Sequence, residues 1–253
     1  YNKTAIYFGN MTDFVISNSS FEDGYYRETY FKKSPIMRLG HARNDLFFKR
    51  DSVYVDRIKK KVYEYFSIPE DSKICLYAPT FRDDGDLSPY QLPYEKIVEA
   101  LSMHFGGSGK WVVLNRFHHR TKKMLKNVNL PQCTISATDY PDIHELMLCA
   151  DVGITDYSSW ICEYIHTRKP GFLFATDIDK YDLERGFYDP LDKMPFPLAK
   201  NSDELINNIL SFDSEKYLVS IEDFLKKKGC IDDGHAAERI VDFVSSLIEG
   251  RKA

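Results

Sequence analysis

The sequence predicts an α/β protein with a Rossmann-like, doubly wound parallel sheet, and three observations carry that prediction. Short apolar runs rich in β-branched and aromatic residues recur at 74–78, 111–114, 133–135, 152–154 and 171–174, each the length of one buried strand. Stretches with helical spacing separate them, and this alternation is the mark of βαβ units. Polar clusters follow the runs at 79–84, 115–119, 155–159 and 175–177, and these seams are where an open α/β sheet presents ligand-binding residues.

Taken in order, the helical stretches are 54–66, with Val55, Ile58, Val62 and Tyr65 on one face, then 94–105, 142–149, 158–166, 202–211 and 235–248. The doubly wound region runs from about residue 70 to the C-terminus. The first forty or so residues read differently: strands at 13–17 and 36–39 lead into Gly40-His-Ala-Arg-Asn-Asp45, a polar turn before a long helix. Residues 1–45 therefore read as the tail of another domain with its linker, and 46–253 as the principal domain. Gly106-Gly-Ser-Gly109 lies between a helix and a strand, so it reads as a helix-ending connection rather than a phosphate loop. Tyr1 stands where a complete chain has Met, which reads as a fragment.

Bulk properties narrow the function. With 253 residues, 43% hydrophobic and 28% charged, the chain has the composition of a soluble globular protein, and no stretch approaches a membrane span. Five cysteines lack any paired spacing, and Cys75, Cys149 and Cys162 lie in apolar runs. That pattern predicts buried, reduced thiols in a cytosolic setting and argues against zinc. A net charge of -4 argues against a nucleic-acid surface, although cations gather locally at Asn115-Arg-Phe-His-His-Arg120 and Lys122-Lys123.

The seam Thr155-Asp-Tyr-Ser-Ser159 is the richest. Ser158 or Asp156 is placed to cap the helix that starts there, leaving first-turn amides directed at the crevice, with Ser158 and Ser159 as added hydroxyl donors. Alone, this is equally a good N-cap. His118, Arg116 and Arg82 at neighbouring strand ends shift the reading toward an anion, and several cations at strand ends suit a diphosphate. Asp83 and Asp84 have no third acid at useful spacing and read as solvated turn residues rather than metal ligands. Asp177, Asp179 and Asp182 read as loop and capping acids, and Lys226-Lys-Lys228 as a helix C-terminal charge cluster.

Gly-His-Ala-Arg-Asn-Asp (40–45), Tyr-Ala-Pro-Thr-Phe-Arg (77–82), Arg-Phe-His (116–118), Asp-Ile-His-Glu-Leu (142–146), Ala-Asp-Val-Gly-Ile-Thr-Asp-Tyr-Ser-Ser (150–159) and Arg-Gly-Phe-Tyr (185–188) occur in this order. The series resembles the CDP-glycerol glycerophosphotransferase family, the teichoic-acid and capsule polymerases, over nearly the whole chain. The resemblance implies the donor-binding half of a GT-B fold and transfer of polyol phosphate, most simply glycerol phosphate, from a CDP-activated donor with release of CMP. It implies no cofactor and no nucleotide-chelating metal. By position His118 matches the family's histidine acting on the donor phosphates, and Ser158 and Ser159 the serines of the pyrophosphate-binding helix, with Thr155 and Asp156 ahead of them. Arg82 closes the Ala-Pro-Thr-Phe-Arg motif, Arg116 belongs with the cationic seam, and Asp142 marks the segment near the cytidine.

Three departures accompany the resemblance. Gly40-His-Ala-Arg43 replaces the usual aromatic and proline, Glu163 stands where an aspartate is common, and the chain contains no His-Gly pair, the motif that supplies the family's acceptor-activating base. The expected chain is thus a donor-binding portion without that base. The implied partners are a CDP-polyol and a lipid-linked polymer acceptor, with peripheral contact at the inner face of the cell membrane. The competing readings are a UDP-sugar-using GT-B transferase or 2-epimerase, and a non-catalytic nucleotide- or polymer-binding module.

Overall fold

The computed structural model describes residues 2–29, 31–49, 53–82, 86, 88–107, 109–118, 121, 130–187 and 189–250. Asp83, Asp84, His119, Arg120, Lys122, Lys123 and Tyr188 lie outside the described residues. The chain forms two compact units, one of residues 1–52 with 222–253 and one of residues 53–221.

The first unit opens with helix α1 (Asn2–Asn10), strand β1 (Val15–Ser17), helix α2 (Ser20–Glu28) and strand β2 (Ile36–Arg38). The strands fall where the sequence places them and pair in parallel, Val15 beside Ile36. Helix α2 was not expected, yet its start is written in Ser19-Ser-Phe-Glu22: Ser19 Oγ accepts the Glu22 amide at 3.2 Å, and the Glu22 carboxylate returns to the Asn18 amide at 2.8 Å, a capping box displaced by one residue.

Where the sequence suggests a polar turn before a long helix, residues 42–45 open a 3-10 helix, Ala42–Phe48, with Asn44 and Asp45 buried, and the long helix follows at Val53–Phe66. The polar groups of the 3-10 helix have partners far along the chain. Asp45 accepts the Ala236 amide at 3.0 Å and the Ala237 amide at 2.8 Å, capping the last helix, α10 (Ala236–Gly250). Asp232 accepts from Asn18 Nδ2 at 2.9 Å, the His41 amide at 2.8 Å and Asn44 Nδ2 at 2.7 Å. Gly40 is required here: its φ is +86°, and a Cβ would stand 2.8 Å from Asp232 Oδ1. These bonds explain why residues 222–253, expected to belong with 46–221, pack with the first unit instead. Helix α9 (Ser214–Lys228) runs across the division and ends in Lys226, Lys227 and Lys228, the C-terminal charge cluster the sequence suggests.

In the second unit the sheet has six parallel strands: β3 (Lys73–Tyr77), β4 (Trp111–Asn115), β5 (Thr134–Ser136), β6 (Val152–Thr155), β7 (Gly171–Phe174) and β8 (Leu198–Ala199). Their order is β5-β4-β3-β6-β7-β8. Successive strands thus run outward from β3, the chain crosses back, and the remaining strands run outward from β6. The reversal between β3 and β6 is the topological switch point of a doubly wound sheet. Every residue of β6 and β7 is buried, and strands covered on both faces read as the unbroken apolar runs seen in the sequence.

Connecting helices are α3 (Val53–Phe66), α4 (Tyr94–Phe105), α5 (Ile143–Cys149), α6 (Trp160–Tyr164), α7 (Ile178–Arg185) and α8 (Ser202–Leu210). Helix α3 buries Val55, Ile58 and Val62 and packs on α5, while α4 packs on α8. Gly106 ends α4 with φ +61°, its amide donating to Ser102 O, as the helix-ending reading requires. Helix α7 escaped notice because Ile178-Asp-Lys-Tyr-Asp-Leu-Glu-Arg185 has no apolar stripe. Cys75 and Cys149 are buried, and burial pushes the Cys149 thiol up to about 12. Cys162 is exposed, against expectation, because α6 turns Trp160, Ile161 and Tyr164 inward. Among the described residues no helix is long and apolar enough to cross a membrane.

The Asp45 cap has a measurable consequence. Asp45→Ala leaves two α10 amides without their acceptor and is expected to cost about 1–2 kcal/mol of stability, read as a lower urea midpoint. An unchanged midpoint would show that α10 does not depend on this cap.

Candidate functional site

The switch point places the seam after β3 beside the seam after β6, and buried polar bonds tie the two together. Thr155 Oγ1 donates to Ala78 O at 2.8 Å, and Trp160 Nε1 donates to the same oxygen at 2.8 Å. Asp156 is buried, and its Oδ1 accepts the Thr80 amide at 2.7 Å and the Tyr157 amide at 2.5 Å. Thr155 and Asp156, expected to face an anion, are turned inward and fix the shape of the crevice. The capping role expected of Asp156 or Ser158 falls to neither: the N-cap of α6 is Ser159, without a side-chain cap bond.

Arg82 is likewise committed within the protein. Its side chain is only 8% exposed. Nε and Nη2 form a fork on Asp177, at 2.7 and 2.9 Å, Nη2 lies 2.9 Å from Asp156 Oδ2, and Nη1 donates to Thr80 O at 2.6 Å. The guanidinium also sits over the rings of Tyr157, Tyr181 and Tyr90, at 4.9, 5.3 and 5.8 Å. Tyr157 stacks on Tyr181 at 3.9 Å and donates its hydroxyl to Asp177 at 2.7 Å. Asp177, read from sequence as a loop acid, is therefore a principal partner of Arg82. No local pattern announces that, because 95 residues separate the two.

The charges follow from this packing. Burial pulls the Arg82 guanidinium down, but Asp177 and Asp156 together raise it above its usual value. Burial also pushes the Asp177 carboxyl up, and the hydrogen bonds from Arg82 and Tyr157 outweigh it, holding the group below the usual 3.8. For Asp156 the balance is reversed: complete burial raises its pKa despite Arg82 and the amides of Thr80 and Tyr157. One guanidinium shared by two carboxylates leaves no cationic surplus for a ligand.

The groups left facing outward differ in kind. Ser158 is half-buried and Ser159 exposed, and among the described residues neither hydroxyl makes a hydrogen bond. His118 is exposed, with its ring stacked on Phe81 at 5.1 Å, and Phe81 precedes Arg82. Arg116 reaches sideways, Nη1 donating to Ala137 O at 3.1 Å and Tyr140 O at 2.5 Å, so it braces the loop before α5. Burial holds its guanidinium below its usual value, opposed in part by Asp142. Asp142 caps α5, accepting the His144 amide at 2.8 Å. The expected residues thus fall into an inner frame (Arg82, Thr155, Asp156), a lateral brace (Arg116, Asp142) and an outward set (His118, Ser158, Ser159). Small hydroxyls with an imidazole suit an anion that approaches the backbone closely.

Arg82→Met would leave two carboxylates facing each other out of water, at an expected cost of about 3 kcal/mol at neutral pH. The pH dependence has a fixed sign. Asp177 contributes stability above its unfolded pKa and loses it as pH falls through its lower folded value, while the unpaired carboxylates of the variant are relieved by protonation. The gap between the two proteins should narrow on acidification below about pH 4, measured by denaturant unfolding across pH. A gap that is constant or widens would contradict the network.

Comparison with known proteins places the chain in a family. Residues 4–246 match the family model for CDP-Glycerol:Poly(glycerophosphate) glycerophosphotransferase. The chain is 30% identical over 244 residues to a teichoic acid poly(glycerol phosphate) polymerase of Staphylococcus epidermidis, covering 94% of this chain and 33% of that protein. It is 31% identical over 239 residues to a teichoic acid poly(ribitol-phosphate) polymerase of Bacillus spizizenii, covering 92% of this chain and 37% of that one. In three dimensions it matches the wall teichoic acid polymerase TagF, in a histidine variant soaked with CDPG, with a TM-score of 0.80 at 27% identity over 99% of this chain and 62% of that one. The chain therefore spans about a third of the two polymerases it resembles in sequence, and with the family model matching nearly all of it, the chain belongs to the CDP-glycerol:poly(glycerophosphate) glycerophosphotransferase family.

Proposed function

We propose that the chain is the donor-binding portion of an enzyme that transfers polyol phosphate, most simply glycerol phosphate, from a CDP-activated donor to a growing teichoic acid or capsule polymer, releasing CMP. The observation that carries this reading is the outward set at the switch point: Ser158 and Ser159, whose hydroxyls make no hydrogen bond among the described residues, and His118 stacked on Phe81. These groups stand in a chain whose family model covers residues 4–246.

In this reading the donor's diphosphate lies against Ser158 and Ser159, and the loop before α5, braced by Arg116 and capped by Asp142, faces the cytidine. The acceptor hydroxyl gives its proton to the base of the family's His-Gly motif, which this chain does not contain, attacks the β-phosphorus and forms the new O–P bond. The bond from the β-phosphorus to the bridging oxygen breaks, and that oxygen leaves with CMP. His118 neutralises or protonates the departing phosphate. Phosphoryl transfer asks the protein mainly for positioning and charge stabilisation, which a rigid seam ordered by Asp156 and Arg82 supplies.

The two units take distinct roles in the proposal. Residues 53–221 carry the donor site, and the unit containing residues 1–45 belongs with the acceptor-binding half. A polymer acceptor on a lipid carrier puts the reaction at the inner face of the cell membrane, with the enzyme as a peripheral protein. Since the chain contains no His-Gly pair, it is expected to bind the donor without turning it over.

Calorimetric titration of the chain with CDP-glycerol, CMP and UDP-sugars tests the reading. CDP-glycerol should bind in preference to UDP-sugars, and His118→Ala and Ser158→Ala should each weaken it about tenfold, the scale of one charge-assisted hydrogen bond. Preference for UDP-sugars, or variants that bind as tightly as the parent, would overturn it.

A further inference from the structure

Helix α5, near its start, is joined to α6, near its end, by a side-chain pair that the motifs leave without a role. His144 is the second residue of α5 and Glu163 the fourth of α6. His144 Nε2 lies 2.7 Å from Glu163 Oε2, and both side chains are 20% exposed. A carboxylate only accepts, so the ring N–H is the donor, and a bond between a largely buried imidazole and a carboxylate is of the strong, charge-assisted kind. The other ring nitrogen lies 3.4 Å from Asp142 Oδ1, the same oxygen that caps α5 through the His144 amide. His144 thus connects the cap of α5, through its amide, to the helix that follows Ser158 and Ser159, through its ring.

Helix α6 needs such a connection. It has five residues and no side-chain cap and passes directly into the buried 3-10 turn Ile165–Thr167, so side-chain anchors as well as backbone bonds hold its direction. Trp160, Ile161 and Tyr164 anchor its inner face in the core, whereas Glu163 points elsewhere and is held by His144. Two anchors on different sides of a short helix fix its rotation as well as its position. Rotation decides where the residues just before the helix, Ser158 and Ser159, present their hydroxyls and amides.

We propose that His144 is a positioning residue for the donor diphosphate: through Glu163 it sets the orientation of α6 and hence the geometry of the Ser158–Ser159 seat. The proposal rests on the function proposed above. His144 touches no reacting atom and acts only through Glu163. Reach matters, because a residue one methylene shorter at 163 draws its carboxylate back from the 2.7 Å contact with the imidazole.

The test is calorimetric titration of CDP-glycerol into the parent chain and the variants His144→Phe, His144→Gln and Glu163→Asp, with melting temperatures measured in parallel. His144→Phe keeps the bulk and removes the donor; His144→Gln restores an N–H at similar reach. Parent-like melting temperatures, affinity about tenfold weaker in His144→Phe and Glu163→Asp, and recovery in His144→Gln are expected. Should His144→Phe fail to fold, Glu163→Asp carries the test. Equal affinity in parent and variants, or a His144→Gln as weak as His144→Phe, overturns the positioning role while leaving the donor reading intact. A parent chain that binds no CDP-glycerol overturns the donor reading and this proposal with it.

Discussion

The second unit turns on one buried carboxylate. Asp156 sits at the end of β6, out of water, and accepts the backbone amides of Thr80 and Tyr157 while lying 2.9 Å from the Arg82 guanidinium. A buried charge persists only when it is paired and hydrogen-bonded, so the positions of the β3 seam, the β6 seam and Arg82 are mutually determined. Asp177 then enters from the β7 seam as the second partner of Arg82, and three separate stretches of chain converge on one guanidinium. Tyr157, Tyr181 and Tyr90 surround that cation with ring faces, keeping water from the pairs and strengthening them.

This frame constrains the chemistry. In the proposed reading, an arginine already shared between two carboxylates adds little positive potential to the crevice, and among the described residues an anion there is met by backbone amides, hydroxyls and the imidazole of His118. The division of labour in that reading is physically sensible: the network that uses charge fixes geometry, and the groups proposed to meet the ligand are small and near the backbone. Such a seat requires little reorganisation when charge develops on a departing phosphate, and preorganised donors are the largest contribution to stabilising it.

Much of this was legible in the sequence, and the failures have identifiable causes. The strands of the sheet were visible as continuous apolar runs because both faces of β6 and β7 are covered. The seams were legible because α/β topology puts ligand groups after strands, whatever the ligand. The inward turn of Thr155, Asp156 and Arg82 was not legible: a buried aspartate and a solvated one are the same letter, and the deciding partners, Ala78 O, Thr80 N and Asp177, are distant along the chain. Helix α7 was lost because it has no apolar stripe. The affiliation of residues 222–253 was hidden for a related reason, since Asp232 and the α10 amides find their partners at Asn18, His41, Asn44 and Asp45 near the other end of the sequence. The motif Gly40 to Asp45 carried the resemblance without revealing that its residues bond Asp232 and the first amides of α10.

The central claim is that the Asp156–Arg82–Asp177 network shapes the site without binding the ligand, and that the diphosphate is held by the Ser158–Ser159 seam. A crystal structure of the chain with bound CDP-glycerol addresses it most directly. The account expects diphosphate oxygens within hydrogen-bond distance of Ser158 and Ser159, with the Arg82 fork still on Asp177 and its contact with Asp156 kept. A structure in which Arg82 has left Asp177 to grip the diphosphate would contradict it.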